Sequence, residues 1–98
     1  MSVIFVDIDN TICISSLDYN TATPLTPRIA KINELFTQGN KIVYWTARGT
    51  KTGIDWYKIT ETQLQSWGCK YTELRMGKPV YDLFIDDKNI NSETFFSK

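Results

Sequence analysis

Residues Val3, Ile4, Phe5, Val6, Asp7 and Ile8 form a β-branched and aromatic run that stops abruptly at Asp9, Asn10 and Thr11. A strand with one wet face alternates apolar and polar residues. A run apolar on both faces suits a strand covered on both sides, the usual state of a strand in a parallel sheet. Parallel neighbours cannot be joined by a hairpin and need a crossover, usually a helix. The rest of the chain reads accordingly.

Residues 10–24 are rich in Thr, Ser and Asn and read as irregular, closed by Pro24. Thr26-Pro27 then resembles an N-cap followed by proline at the first helical position. Leu25, Ile29, Ile32 and Phe36 recur at helical spacing, and Gly39 is a natural stop. Lys41 to Thr46 forms a second apolar strand. A Gly-containing loop over 47–53 leads to a helix over about 54–67, with Ile54, Tyr57, Leu64 and Trp67 as its inner face. Residues 69–75 suit a short edge strand. Val80-Tyr81-Asp82-Leu83-Phe84-Ile85 reads as another buried strand, ending at Asp86-Asp87. Alternation of this kind predicts a single α/β domain over 1–98, a mostly parallel sheet with helices on both faces.

In such sheets ligands bind beyond the carboxyl ends of the strands. Four carboxylates (Asp7, Asp9, Asp86, Asp87), Lys78, Arg48 and Thr46 are expected there. Uncompensated, the carboxylates would repel one another and raise their own pKa values. Lys78 offsets one charge, and a hard divalent cation would offset two more. All-oxygen ligation by few carboxylates suits Mg²⁺. Zinc is disfavoured, since the chain has no His and only two cysteines. A cation, a Lys and a hydroxyl together suit a phosphoryl group. Asp7 and Asp9, two apart on an extended chain, start on one face and can diverge into a nucleophile and a proton-transfer group.

Composition removes other classes. Without His there is no imidazole triad and no imidazole acid–base chemistry. Lys+Arg and Asp+Glu number 11 each, so no net positive field draws the chain to nucleic acid or a membrane surface. Cys13 and Cys69 lack a CxxC spacing and read as two free thiols of a cytoplasmic protein rather than a disulfide. The N-terminus lacks the pattern of a signal peptide, and no apolar stretch approaches the roughly 18 residues of a membrane span.

The four polar groups in order resemble the haloacid dehalogenase-like (HAD) superfamily of phosphohydrolases. The matching segments are Asp7-Ile8-Asp9-Asn10-Thr11, Thr46 after its strand, Lys78 within Gly77-Lys78-Pro79, and Asp86-Asp87. Together they span about residues 3–90. Thr46-Ala47-Arg48, Gly77-Lys78-Pro79 and Ile85-Asp86-Asp87 are further similar to small capless members that act on capsular polysaccharides or sugar phosphates. The resemblance implies a Rossmann-like core and a Mg²⁺-dependent phosphomonoesterase. Asp7 would form an aspartyl-phosphate, and Asp9 would protonate the leaving oxygen and then activate water. Thr46, Lys78 and Asn10 would hold phosphoryl oxygens. Asp7, the Asp9 carbonyl, Asp87 and Asp86 would hold the metal, with Asp87 the favoured direct ligand. Arg48, outside the core motifs, is a guess at a substrate contact. Asn10 stands where many members carry Gly. No cap domain fits, so specificity would fall to the 12–24 loop, a neighbouring subunit or a large substrate.

Each residue also has a plainer reading: turn carboxylates at 7 and 9, a strand terminus at Thr46, a solvated Lys78, a helix cap at Asp86-Asp87. A small phosphorylated metabolite such as a sugar phosphate is the expected substrate. A phosphatase acting on a nucleic-acid 3′ end is the alternative enzyme, and a non-catalytic phosphate-binding or assembly module is the alternative class. Trp56, Tyr57, Phe95 and Phe96 are candidates for burial between subunits of a homo-oligomer.

Overall fold

The computed structural model describes residues 1–15 and 18–97. The apolar N-terminal run forms strand β1 (Val3–Val6). A two-residue strand β2 (Cys13–Ile14) pairs antiparallel with β3 (Thr23–Pro24), and a 3-10 turn over Tyr19–Thr21 lies between them. The stretch expected to be irregular is therefore a small ribbon, closed where the Leu25 amide donates to the Ile12 carbonyl at 2.8 Å. Ser16 and Leu17 of that loop lie outside the described residues.

Helix α1 (Thr26–Thr37) follows. Leu25 occupies the N-cap, so Thr26 and Pro27 both fall in the first turn, one step later than the capping pattern suggests. Proline needs no amide partner there, which makes either register acceptable. Gly39 adopts φ +99° beyond the helix end, a backbone that residues with a Cβ rarely take. Strand β4 (Lys41–Trp45), helix α2 (Tyr57–Ser66) and strand β5 (Glu73–Arg75) complete the main body. A short helix α3 (Ser92–Phe96) ends it, and the Asn91 side chain accepts from the Glu93 amide.

The sheet runs β1-β4-β5, all parallel. Its register sets Ile4 beside Ile42, and Val6 and Leu74 on either side of Tyr44. Those side chains join Ile29 and Ile32 of α1 and Leu64 of α2 in one apolar core. Both helices thus cover the same face, which corrects the expectation of helices on both. The reason is directional. The chain crosses the sheet in one sense from β1 to β4 to β5, and successive right-handed crossovers in one sense land on one side. On the opposite face Val3 and Phe5 are exposed, with Phe5 packed edge-on against Trp45.

Two further expectations need correction. Leu64 of the expected inner face of α2 is buried and Trp67 packs against the core, but Ile54 and Tyr57 are exposed and Thr60 is buried in their stead. The helix begins at Tyr57, three residues later than its apolar pattern suggests, which leaves Ile54 outside it. The run Val80–Ile85 is not a buried strand. It is exposed throughout, with Leu83 74% and Ile85 87% accessible. Strand composition expresses a preference that only a ladder partner realises. This segment is instead held by local contacts, Tyr81 against Phe84 and the Asn89 side-chain Nδ2 donating to the Phe84 carbonyl. Phe95 and Phe96 of α3 pack against the core, with Arg28 over Phe96 and Lys31 over Phe95.

Ile42, fully buried at the centre of the sheet, tests this packing. Ile42→Ala is expected to lower stability by about 3 kcal/mol. Urea unfolding would read this as a lower midpoint at unchanged slope. A loss below about 1 kcal/mol would contradict a core centred on β4.

Candidate active site

Parallel pairing brings the carboxyl ends of β1 and β4 side by side, so Asp7 and Thr46 leave adjacent strands at the same end of the sheet. Just past β1 the chain turns sharply. The Thr11 and Ile12 amides both donate to the Ile8 carbonyl, and the Asn10 amide donates to the Cys13 carbonyl. Asn10 sits at φ 62°, the only non-glycine residue with positive φ among those described. Asn tolerates that conformation better than most side chains, which explains how it can occupy this turn. Its side chain is exposed.

Asp7 is held by two groups. The Thr11 hydroxyl donates to one carboxylate oxygen at 3.0 Å, and Lys78 Nζ lies 3.1 Å from the other. Lys78 is brought there by its backbone, whose amide donates to the Thr46 carbonyl at 3.0 Å. Burial alone would lower the Lys78 pKa. The Asp7 charge and hydrogen bond, with Tyr81 beside it, more than offset this and hold the ammonium above its ordinary value. Thr46 is buried, and its hydroxyl accepts from the Arg48 amide at 3.1 Å.

Asp9 has a different cation. Arg48 donates through Nε to Oδ2 at 2.9 Å and through Nη2 to Oδ1 at 2.8 Å, a two-pronged pair. The Ser15 hydroxyl also donates to Oδ1. Burial pushes the Asp9 carboxyl up, but the hydrogen bonds from Arg48 and Ser15 and the Arg48 charge win, leaving it below its ordinary value. The Arg48 side chain is fully buried. It has no surface to offer a substrate, so the guess of a substrate contact is corrected: Arg48 touches Asp9, Thr60, Gln63 and the ring of Tyr19.

The acidic pair does not follow a strand of the sheet. Asp86 lies on the wall of an open cleft of about 880 Å³ that Asp7 and Lys78 also line. Asp87 is exposed and paired with Lys88. Among the described residues no three acidic, His or Cys side chains gather closely enough to hold a metal ion. Asp7, Asp9, Asp86 and Asp87 thus do not gather into one such group among the described residues, and the segment preceding the pair does not join the sheet. Neither cysteine offers an easily formed thiolate. Both are unpaired, burial raises Cys13, and burial pushes Cys69 up to about 11.

Sequence reading missed Thr11 as the partner of Asp7, and Tyr19, Thr60 and Gln63 as the partners of Arg48. Thr11 was legible from its place four residues after Asp7 in a tight turn. The others are joined only by folding.

No protein-family model matches the chain, and no curated protein does. Among solved structures, the crystal structure of an MCSG target from Vibrio cholerae is similar, with a TM-score of 0.90 and 27% identity. The match covers 100% of this chain and 89% of that one. The fold is thus an α/β arrangement around a parallel three-stranded sheet that a distant sequence also adopts. No helix among the described residues is long and apolar enough to cross a membrane.

Gly49, at φ +81°, threads the loop that carries Arg48, and a Cβ there would run into the Ile54 carbonyl. Gly49→Ala is expected to cost at least about 2 kcal/mol, read as a lower melting midpoint. A variant as stable as the parent would show that the loop has room to move.

Proposed function

We propose that the chain is a phosphomonoester hydrolase of the HAD type, with Asp7 as nucleophile. The observation that carries this reading is the pairing of two strand-end carboxylates with two different cations, Asp7 with Lys78 and Asp9 with Arg48. Asp7, partly accessible and lining the cleft, is the one placed to meet a phosphorus atom. In the proposed reaction an Asp7 oxygen forms a bond to phosphorus while the ester oxygen leaves with a proton that Asp9 relays to it from the P–OH of the substrate monoanion. Water deprotonated by Asp9 then attacks the phosphorus, releasing phosphate and restoring the Asp7 carboxylate. Lys78 neutralises charge on the phosphoryl oxygens as it develops, with the exposed Asn10 side chain as a neighbouring donor; Thr46 is buried and supports the site through its carbonyl, which holds the Lys78 amide.

Magnesium belongs to the proposal through donor chemistry alone, the Asp7 carboxylate, the Asp9 carbonyl and the acidic pair. These donors do not converge into one group among the described residues. When bound, it would supply further neutralisation of the phosphoryl group. A sugar phosphate or similar small metabolite is the proposed substrate, since the balanced charge offers little to a polyanion.

Phosphate release from sugar phosphates, nucleotides and a 3′-phosphorylated oligonucleotide tests this reading. Turnover is expected with Mg²⁺, lost with chelator, and reduced at least about a thousandfold in Asp7→Asn. Preference for the oligonucleotide would shift the substrate class. Unaltered turnover in Asp7→Asn would remove the mechanism. Lys78→Ala is expected to lower kcat about a hundredfold, and a change confined to KM would assign Lys78 to binding alone.

A further inference from the structure

Arg48 is the largest fully buried side chain of the molecule, yet it lies outside the residues that the proposed chemistry uses. Four of its five N–H groups are engaged. Two hold Asp9, and Nη1 donates to the Thr60 hydroxyl at 3.1 Å and to Gln63 Oε1 at 2.6 Å. The Tyr19 ring covers the guanidinium at 4.7 Å, and Trp56 meets that ring edge-on. Gln63 closes the circuit by donating to the Tyr19 carbonyl at 2.6 Å. The guanidinium is thus fixed by helix α2 and roofed by the turn between β2 and β3. We infer that Arg48 is a positioning residue: it locks the Asp9 carboxylate in one orientation and couples that orientation to the Tyr19 turn and to α2.

The inference rests on the proposed hydrolase reading for its catalytic consequence, though not for its geometry. A planar fork fixes both oxygens of a carboxylate, and an ammonium at the same place fixes a point charge but no plane. Proton delivery to a leaving oxygen demands that precision, and an error of about 1 Å costs about a hundredfold in rate. A purely structural arginine would instead slow every substrate alike when removed. Leaving groups separate the two cases. An alkoxide must receive a proton as it departs, whereas a nitrophenolate departs without one.

The test compares an alkyl phosphate with p-nitrophenyl phosphate in Arg48→Met and Arg48→Lys. The alkyl phosphate is expected to lose about a hundredfold in kcat/KM, which reports the step that expels the leaving group, and the aryl phosphate far less in kcat/KM. Arg48→Lys is expected not to rescue. Thr60→Val and Gln63→Leu retain Arg48 but release its far side, and are expected to show the same leaving-group bias in weaker form. They keep the test decisive if the Arg48 variants do not fold. Equal losses in kcat/KM on both substrates would overturn the positioning role. Crystal structures of parent and variant separate this from the hydrolase reading. Asp9 holding its orientation in Arg48→Met would overturn the clamp whatever the activity. A parent inert toward every phosphomonoester, with Asp9 released in the variant, would overturn the hydrolase reading and leave the clamp standing.

Discussion

The parallel pairing of β1 with β4 is the constraint on which the rest of the molecule depends. Its register, Val3 beside Lys41 through Val6 beside Tyr44, aligns the two strand ends to within a residue. Everything polar at the candidate site hangs from that alignment. Asp7 is the first residue past β1, and Thr46 the first past β4. Lys78 reaches Asp7 because its own amide is tied to the Thr46 carbonyl. The same pairing explains the interior. It puts Ile4, Val6, Ile42 and Tyr44 on one face, where α1 and α2 bury them. A one-residue slip would turn that apolar set outward and separate Asp7 from Lys78, so packing and site are specified together.

The two carboxylates at the end of β1 differ only in what surrounds them. Asp7 meets a lysine on a flexible stem and a threonine hydroxyl, and it stays partly accessible. Asp9 meets a buried arginine held on its far side by α2. An ammonium exchanges partners easily, while a guanidinium fixed by four hydrogen bonds does not. One carboxylate can therefore give up its protein partner to an incoming group, and the other keeps its plane. Sequence spacing alone made them equivalent candidates; on the proposed reading their roles divide according to which cation each one faces.

Local signals made much of this legible. The run Val3–Ile8, the helical spacing of Ile29 and Ile32, and Lys41–Trp45 each form the element their pattern indicates. Those three elements already place Asp7 and Thr46. What stayed hidden depends on distant pairing. Nothing near Arg48 in the chain signals that its partners lie 39 residues before it and 12 and 15 after it. A charged residue in a loop reads as exposed until the fold covers it. The run Val80–Ile85 shows the opposite error. Its composition is that of a strand, but composition does not supply a neighbour, and the outer edge of β1 is not its partner here.

That open edge gives the cleft its character. β1 forms one wall, and residues 81–91 with α3 form the other, so Asp7 and Lys78 look into a wide opening rather than a closed pocket. The acidic pair stands on the segment that makes the outer wall. Any approach of that segment to β1 would narrow the cleft, cover Phe5 and Val3, and carry Asp86 toward Asp7 in a single movement. Apolar burial favours such an approach, since Leu83 and Ile85 are among the most exposed large apolar side chains in the molecule. Carboxylate repulsion opposes it, since it would add negative charge beside Asp7.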